Sequence, residues 1–419
     1  MVVSFLRYIF FLLVCSTLTA QALVEVSTPF NIKTVTFVQN SQQNVIPIFK
    51  LGDGFQIQFD DLYGNEANYY YEIIHCDYNW IPTPIPKNEY LLGFDNQRIQ
   101  EYTNSVNTLQ IYSHYKLSIP NQFTQQLRIS GNYMLNILDD TKEIVFSRKF
   151  ILYEDRVQVP MQIKRARTVA NLDYKHNVEF SITSNVITFQ NPMKNVKVML
   201  MQNGQWNTAI KDILPQFTVG NDLIYKYDTP TQFWAGNEFL FFENRDIRST
   251  GNNIARIDGG TTIYNSYLFT NQARANFPYS FTQDANGNFV PRNSNAEDNQ
   301  IEADYAWVYF SLSAPAFRQN KDIYVTGMFN NFCLSNEFKM EYNEKKAIYE
   351  KAILIKQGFT NYQYTVANVN LKIDNENAID GNFYQTENDY FALVYYREGR
   401  DRYDRVIGKG SANSSNIIN

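Results

Sequence analysis

Short segments in which apolar and polar residues alternate recur along almost the whole chain, and they constrain the fold more than any other feature. In GFQIQFDDL, alternation places Phe55, Ile57 and Phe59 on one side of the segment. The same pattern occurs in NVEFSITS, NVKVMLMQNG, NEFLFFENRDI, YAWVYFSL, DIYVTGMF and YFALVYYR. A period of two is the repeat of a half-buried β-strand. Because long amphipathic segments with helix caps are missing, we expect an all-β fold with few or no long helices.

The composition and the turn residues refine this class. Aromatic residues make up 16% of the chain and charged residues 19%, and aromatic side chains suit half-buried pleated surfaces. Asp139 and Asp140 separate two alternating segments and predict a tight hairpin turn. PKNEYLLGF, which opens with Pro86, predicts a few helical turns. The regular spacing of strands favours tandem immunoglobulin-like or early-set β-sandwiches over a parallel α/β sheet.

The first residues have the pattern of a secretory signal peptide. Arg7 precedes an apolar run, and Ala20-Gln21-Ala22 is a small-x-small cleavage site, so we expect removal of residues 1–22. LLVC lacks the small residue expected before a lipoprotein cysteine, which disfavours lipidation at Cys15. No later stretch reaches 18 consecutive apolar residues, so the sequence predicts an exported protein without bilayer insertion. The formal net charge of −5, without a basic patch, argues against a nucleic-acid partner.

Composition along the chain predicts three globular units. The strand KFILYED closes the first unit, and the Asn- and Asp-rich stretch TQDANGNFVPRNSNAEDNQIEADY separates the second from the third. The predicted division is a signal peptide (1–22), an N-terminal sandwich (23–155), a middle sandwich (156–300), a C-terminal early-set sandwich (301–408) and a flexible tail (409–419). Outside the signal peptide, Cys76 and Cys333 are the two cysteines, and they are too far apart for a disulfide framework.

The triplet His75-Cys76-Asp77 within YYYEIIHCDYNW is the most catalytic-looking motif in the chain. On a strand, alternation sends Cys76 to one face with Ile74, Tyr78 and Trp80, and sends His75 and Asp77 to the other. A cysteine among apolar neighbours is a small buried hydrophobe, whereas a nucleophile needs an accessible, electropositive setting. We therefore expect a core strand here and no enzyme, although a hydrolase that uses this triplet or an acid pair is an alternative.

Metal and nucleotide motifs are weak or missing. The chain has no CxxC pair, no HExxH and no GxSxG elbow, and its three histidines are widely spread. We therefore predict no catalytic residue, no cofactor and no metal ligand. Three stretches cluster oxygen-bearing side chains and leave calcium open as an alternative to ordinary turns: DDLYGNE, DANGN and DNENAIDGN.

The third unit resembles the early-set sandwich of glycogen- and starch-binding modules. DIYVTGMFNNF follows that family's V-x-G-x-F-N-x-W pattern, and IKQGFTNYQYTV follows its "lys-gln-gly" turn and Y-x-Y strand. Phe332 stands where the family has its tryptophan. We expect that the sandwich is kept and the sugar site is lost. A carbohydrate-binding β-sandwich protein is therefore the alternative function.

Longer phrases resemble one family along roughly Lys33 to Gly408. They are FDDLYGNEANYYYEIIHCDYNW, EYLLGFDNQRIQEYTNSVNTLQIYSHYKLSIPN, SGNYMLNILDD, GNEFLFFENRDIRS, IEADYAWVYFSL and GNFYQTENDYFALVYYREGRDRYDRVIG. The chain is identified by these phrases as similar to the plug protein of the type IX secretion system. The resemblance implies a periplasmic, non-enzymatic protein that attaches to the outer membrane through a β-barrel translocon. It further implies that one copy docks on the periplasmic opening of the barrel and seals the pore when no substrate is engaged.

The residues that contact the barrel have to be sought in the loops. IPTPIPKNEYLLGFDNQRIQEY, here called the 81–102 loop, is a long excursion with three prolines and several aromatic residues. Long loops in compact domains are often functional. Because Tyr and Arg are over-represented at interface hot spots, Tyr90, Phe94 and Arg98 are the predicted anchors. The alternative is that this loop caps the end of its own sandwich.

Overall fold

The computed structural model describes residues 21–316 and 320–417, and these residues form mostly antiparallel β-sheets, which confirms the all-β prediction. Three α-helices of four residues each occur in the described residues: α1 (Lys87–Tyr90), α2 (Pro192–Asn195) and α3 (Asn299–Glu302). Single 3₁₀ turns lie at Met328–Asn330 and Ser414–Asn416. In this part of the chain no helix has the length and apolar character to cross a membrane. The predicted signal peptide lies outside the described residues except for its last two positions.

The first sandwich consists of two four-stranded sheets and a small accessory pair. One sheet has the strand order β1-β3-β7-β6, with β1 (Ile32–Val38), β3 (Phe55–Asp61), β6 (Glu101–Asn104) and β7 (Ser113–Ile119). The other has the order β2-β10-β9-β4, with β2 (Ile48–Lys50), β4 (Tyr70–Cys76), β9 (Gly131–Leu138) and β10 (Ile144–Tyr153). The accessory pair is β5 (Leu91–Gly93) and β8 (Thr124–Leu127).

The predicted hairpin at Asp139-Asp140 joins β9 to β10 in this sandwich. The Asp139 carboxylate accepts hydrogen bonds from the Thr141 amide (2.9 Å), the Thr141 hydroxyl (2.7 Å) and the Glu143 amide (3.0 Å). Asp and Asn side chains stabilise turns in this way because they satisfy backbone donors that the ladder leaves unpaired. The turn prediction is confirmed, and its physical basis is the Asp139 side chain.

The second sandwich combines strands from the middle of the chain with the last two strands. One sheet contains β11 (Met161–Arg165), β12 (Lys175–Ile182), β15 (Phe217–Val219), β16 (Asp222–Tyr225) and β17 (Gln232–Trp234). The facing sheet has the order β14-β13-β28-β29, with β13 (Val196–Gln202), β14 (Ile210–Lys211), β28 (Asp389–Tyr396) and β29 (Arg405–Asn413). Their shared core includes Val178, Val198, Leu223 and Val394.

The third sandwich is formed by the strands between β17 and β28. One side contains β18 (Leu240–Glu243), β22 (Phe289–Pro291), β24 (Lys321–Thr326) and β27 (Gly358–Asn368). The other contains β19 (Ile254–Gly259), β20 (Tyr264–Leu268), β21 (Asn271–Gln272), β23 (Tyr305–Ser313), β25 (Glu341–Asn343) and β26 (Ile348–Lys356). Phe310, Ile323 and Tyr362 lie in the core between them.

This pairing differs from the division predicted from composition. The sequence boundaries grouped residues 389–408 with the C-terminal unit and treated 409–419 as a flexible tail. In the structure β28 instead pairs with β13 over seven residue pairs, from Val196–Tyr396 to Gln202–Tyr390, and β29 continues to Asn413. We propose that the third sandwich is an insertion in the second, because both strands that follow it return to the second core.

The first and second sandwiches stack sheet against sheet. Cys76, Met134 and Ile151 on the outer face of the β4-β9-β10 sheet pack against Met199 and Leu393 of the second sandwich. The two inner sheets are therefore covered on both faces, and every residue of β9 is buried. Strands covered on both faces lose the clean alternation of half-buried strands. This explains why GNYMLNIL has a weaker alternating pattern than β3.

Candidate functional site

The side chains of the His75-Cys76-Asp77 triplet diverge instead of forming a relay. Cys76 is fully buried with Tyr78 and Trp80, as predicted, and burial raises the pKa of its thiol to about 12. Asp77 accepts hydrogen bonds from the amides of Asn79 (2.8 Å) and Ile81 (2.9 Å) and so closes the turn after β4. Because the thiolate is the nucleophilic form, burial among apolar residues disfavours reactivity and gives Cys76 the setting of a core residue.

His75 belongs to an aromatic cluster within the first sandwich. Its ring lies 4.9 Å from that of Tyr133 and 5.6 Å from that of Tyr90, and its Nδ1 is 2.7 Å from the Thr83 hydroxyl. Burial lowers the pKa of His75 to about 4, so the ring is neutral. Gly131 makes this packing possible, because a Cβ atom there would lie 2.2 Å from His75 Nε2. The cluster supports the end of the sandwich from which the 81–102 loop emerges.

Tyr90, one of the three predicted anchors, is a core residue and not an exposed contact. Its side chain is 5% exposed, and its hydroxyl donates a hydrogen bond to the Ile73 carbonyl (3.2 Å). Ile85, Leu91 and Ile99 of the same loop are also buried in the first core. The loop thus caps its own sandwich, which was the alternative interpretation. Sequence reasoning missed this because an aromatic residue in a loop has the same sequence signature whether it faces inward or outward.

Phe94 and Arg98 are presented outward from the same loop. Phe94 is 73% exposed, and the Arg98 side chain is also exposed. The backbone beneath Phe94 is held tightly: its amide donates to the Phe123 carbonyl (2.9 Å), and its carbonyl accepts from the Thr124 hydroxyl (2.8 Å). A large apolar side chain on a fixed backbone can bind a partner without a large loss of conformational entropy.

Ionic contacts fix the loop to the rest of the molecule. Asp95 is buried and accepts from the Ile73 amide (2.8 Å) and from the Lys87 ammonium group (2.7 Å). Arg402, from the connection between β28 and β29, forms a two-point ion pair with Glu89. The loop is therefore bound to both the first and the second sandwich. Sequence spacing could not reveal this contact, because Glu89 and Arg402 are far apart in the chain.

The turn that resembles a sugar-binding module buries the aromatic residue Phe332. Phe332, in the position of the family's tryptophan, is 6% exposed, and its ring lies 6.4 Å from that of Phe239. Asn330 stabilises the turn, because its side chain donates to the Val325 carbonyl (2.9 Å) and accepts from the Gly327 amide (3.1 Å). Since an aromatic ring has to be exposed to stack on a sugar ring, Phe332 packs within the protein in this structure and does not form such a platform.

In the oxygen-rich stretches, carboxylate side chains accept hydrogen bonds from, or form ion pairs with, other groups of the protein. Asp284 of DANGN accepts from the amides of Phe239 and Asn286, and Asp374 of DNENAIDGN pairs with Lys321 (2.6 Å). In the described ranges no group of three or more His, Cys, Asp or Glu side chains converges as a metal site would require. Glu238 lies near Asp284, and burial raises the pKa of Glu238 to about 7.

The junction between the first and third sandwiches contains a buried ion pair that sequence reasoning missed. Asp60 of β3 accepts from the Lys356 ammonium group (2.7 Å) and the Tyr305 hydroxyl (2.6 Å), and its other oxygen is 2.6 Å from His114 Nδ1. Burial would raise the pKa of Asp60, but Lys356 and His114 hold it below its ordinary value. The sequence signal is Asp60-Asp61 at the end of a strand in which apolar residues alternate with glutamines. That signal does not identify a lysine almost three hundred residues away.

Comparison with known proteins gives a family and a solved relative. Residues 32–154, which contain all strands of the first sandwich and the 81–102 loop, match the model of the type 9 secretion system plug protein 1st domain. No curated protein matches the chain. The crystal structure of a hypothetical protein from Parabacteroides merdae is 30% identical, with a TM-score of 0.88 over 94% of this chain and 100% of that chain.

Two further solved structures are distant. The BSP domain of a biofilm-associated protein is 6% identical, with a TM-score of 0.17 over 94% of this chain and 61% of that chain. Three N-terminal domains of the Hoc capsid protein of bacteriophage RB49 are 10% identical, with a TM-score of 0.14 over 92% of this chain and 100% of that chain. TM-scores this low carry no argument about the fold. The Parabacteroides merdae structure supports the fold, because its match covers 94% of this chain. With the match of residues 32–154 to the first-domain model, the chain belongs to the type IX secretion system plug protein family.

Proposed function

We propose that this protein is a non-enzymatic plug that docks on the periplasmic opening of the outer-membrane translocon barrel and seals its pore when no substrate is engaged. Membership of the family gives the protein a role in type IX secretion, an envelope location and an association with the secretion system. The family is a secretion-system component and is not known as an enzyme. Our proposal adds four points to this: docking on the barrel, sealing of its pore, a periplasmic location and a single copy per barrel.

The family match carries the proposal, and the sandwich junctions support it physically. A body that occludes a pore has to resist deformation, because a flexible chain of domains would leave gaps. Here the first two sandwiches share a sheet-on-sheet interface, and the first and third are joined by the buried Asp60–Lys356 pair. Inter-domain motion is the usual expectation unless the interface is large and apolar. The sheet-on-sheet interface is apolar, and with the buried ion pair it supports a body in which the linked sandwiches move together.

Phe94 and Arg98 are the residues that we propose to contact the barrel. Both are exposed on a loop whose backbone is fixed by hydrogen bonds and ion pairs. Aromatic residues and Arg are enriched at the energetic centres of interfaces. Tyr90 is not proposed as a contact, since it is buried beneath this surface.

Copurification tests the docking surface. A tagged Phe94→Ala/Arg98→Glu variant should recover at least tenfold less barrel from detergent-solubilised membranes than the unmodified protein, because truncating a hot-spot side chain costs about 2 kcal/mol or more. A matched control is Phe281→Ala/Arg248→Glu, which changes an exposed Phe and an exposed Arg in the third sandwich.

The proposal separates into two parts in this experiment. If the folded loop variant and the control recover equal amounts of barrel, the loop is not the docking surface. If the unmodified protein recovers no barrel, the proposed docking is wrong.

Sealing of the pore is measured in a separate experiment. Cells that lack the protein should take up a large hydrophilic dye or antibiotic that normal cells exclude. Unchanged uptake would contradict the occlusion mechanism.

A further inference from the structure

A cavity of about 350 Å³ lies where the N-terminal segment passes from the first sandwich to the third. Residues 24–28 form one wall, β10 a second, and the turn at residues 330–338 a third. The N-terminal segment is fixed on both sides. The Ser147 amide donates to the Val26 carbonyl (3.0 Å), and Glu25 accepts from the Lys149 amide (2.6 Å) and the Asn331 side chain (3.0 Å). The cavity is therefore part of the folded architecture and does not depend on a loose end of the chain.

Arg148 places a buried cation on this cavity. Arg148 is 9% exposed, and among the described residues its guanidinium group donates one hydrogen bond, from Nη1 to the Ser147 carbonyl (2.9 Å). The Phe146 ring is 5.4 Å away, and Arg148 forms no ion pair within the described parts of the chain. A guanidinium group has five N–H donors, and buried charges are normally paired. Arg148 thus has several unused donors beside an open volume.

The charged side chains around the cavity, counted together with Arg148, give it a net positive charge. Lys149 has its ammonium group 4.7 Å from the centre of the Trp80 ring and forms no ion pair in residues 21–316 or 320–417. Glu337 is neutralised by its ion pair with Lys33. Glu25 is held by uncharged donors and offsets one of the two cations. The cavity therefore has the charge of a site for one monovalent anion.

The remaining walls are largely apolar. Trp206, Leu334 and Phe338 line the cavity together with Val24 and Val26. We propose that this cavity binds a carboxylate attached to an apolar group, the chemistry of a peptide that ends in a free α-carboxylate and an apolar side chain. The Arg148 guanidinium would hold the carboxylate through two parallel hydrogen bonds, a geometry that suits planar anions. The apolar walls would enclose the side chain, and the volume is within the range of small-ligand sites.

Two peptides that differ by one group test this assignment. Acetyl-Gly-Leu with a free carboxylate and its C-terminal amide are titrated into the full-length protein by calorimetry, with tryptophan fluorescence as a second readout because Trp206 lines the cavity. The acid should bind at least tenfold more tightly than the amide, since a charge-assisted hydrogen bond contributes enough for about a tenfold change in Kd. Inorganic phosphate, as a third probe, should bind more weakly than the acid.

Two variants locate the binding. Arg148→Met removes the charge and keeps much of the side-chain volume, so it should abolish the preference for the acid. Arg128→Met, at an exposed arginine of the same sandwich, is the matched control and should preserve it. Ser335→Trp fills the cavity without removing a charge, so it tests the site even if Arg148→Met does not fold. Equal binding of acid and amide, tighter binding of phosphate, no binding of any probe, or unchanged binding in Ser335→Trp would each overturn the proposal.

Discussion

Glu238 shows how a single buried carboxyl group links the stability of the third sandwich to pH. Its side chain is 1% exposed, and Oε1 accepts hydrogen bonds from the Tyr279 hydroxyl and the Glu387 amide, while Oε2 has no partner in the described structure. Burial raises the pKa of Glu238 to about 7, and the carboxylates of Asp284 and Glu387 act in the same direction. The protonated form is therefore the one that the fold stabilises.

We predict that stability falls as the pH rises through this range. The folded state binds a proton at Glu238 up to about pH 7, whereas the unfolded chain releases it near the ordinary value of 4.5. The contribution of protonated Glu238 to the free energy of unfolding is fully present below pH 4.5, and it is lost as the pH rises through 7. Each unit of pKa difference corresponds to about 1.36 kcal/mol. Urea unfolding of the protein and of Glu238→Gln at pH 5, 6, 7 and 8 measures this loss.

The glutamine variant should be more stable than the unmodified protein at pH 8, because it keeps an acceptor for Tyr279 and cannot ionise. It should also show a flatter pH dependence. Parallel stability curves for the two proteins would show that Glu238 is already ionised in the folded state. The apolar run FLFF directly after Glu238 indicates a buried strand there, but the sequence does not show that the carboxyl group itself is buried or lacks a hydrogen bond.

At the scale of secondary-structure elements, the contact between β3 and β26 is secured by the Asp60–Lys356 pair. Both side chains are at most 2% exposed, so each charge depends on the other. We predict that Lys356→Met lowers the free energy of unfolding by about 3–5 kcal/mol, because it leaves the Asp60 carboxylate buried without its main counter-ion. Urea or thermal unfolding of the purified protein measures the change.

Restoring neutrality should recover most of this loss. In Asp60→Asn/Lys356→Met no charge is left unpaired, and uncharged replacements of a buried pair are often nearly neutral for stability. The exposed pair Lys346–Glu350 provides the control, since Lys346→Met should change the free energy of unfolding by about 0.5 kcal/mol or less. If the double variant were as unstable as Lys356→Met, lost packing and not the unpaired charge would be responsible.

The sequence predicts where the strands lie better than it predicts which strands and sheets pack against them. The alternation of apolar and polar residues identified β3, β23 and β28. The burial of the Cys76 side chain followed from its position on the apolar face of a strand. What alternation cannot tell is which sheet covers a face. Cys76 was expected in a core and is buried, but the core that it joins lies between the first and second sandwiches. Tyr90 illustrates the same limit for the candidate site, because the direction of a loop side chain depends on contacts that are distant in sequence.

At the scale of the whole molecule, the chain leaves and re-enters the second sandwich at one place. The Asn388 side chain donates to the Ala235 carbonyl (2.8 Å), and the Thr386 hydroxyl donates to the Gly236 carbonyl (2.9 Å). Composition could not show this, because the polar stretch before residue 301 is a connection within the third sandwich. Proximity of the two ends of an inserted unit is the condition under which insertions are tolerated.

We predict that residues 237–386 can be replaced by a short Gly-Ser linker without loss of the second sandwich. The linker needs only to span adjacent backbone positions, so β28 and β29 can still pair with β13. Deleting residues 301–419 instead should prevent the second sandwich from folding, because it removes both of those strands. Limited proteolysis and circular dichroism of the two shortened proteins compare these outcomes. Folding of the second deletion, or failure of the first, would contradict the inserted arrangement.

The pairing of β28 with β13 also determines the order in which the three sandwiches can be completed during folding. A chain that emerges from its N-terminus exposes β13 long before its partner strand exists, and almost two hundred residues separate the two. Until the final strands arrive, the edge of β13 and the apolar surface beside it are uncovered, and uncovered edges favour association with other chains. The first sandwich can close early and the third can close next, but the middle of the molecule is completed last. The order of assembly therefore differs from the order of synthesis, and a chain released before its last thirty residues would leave the edge of β13 and the apolar surface beside it uncovered.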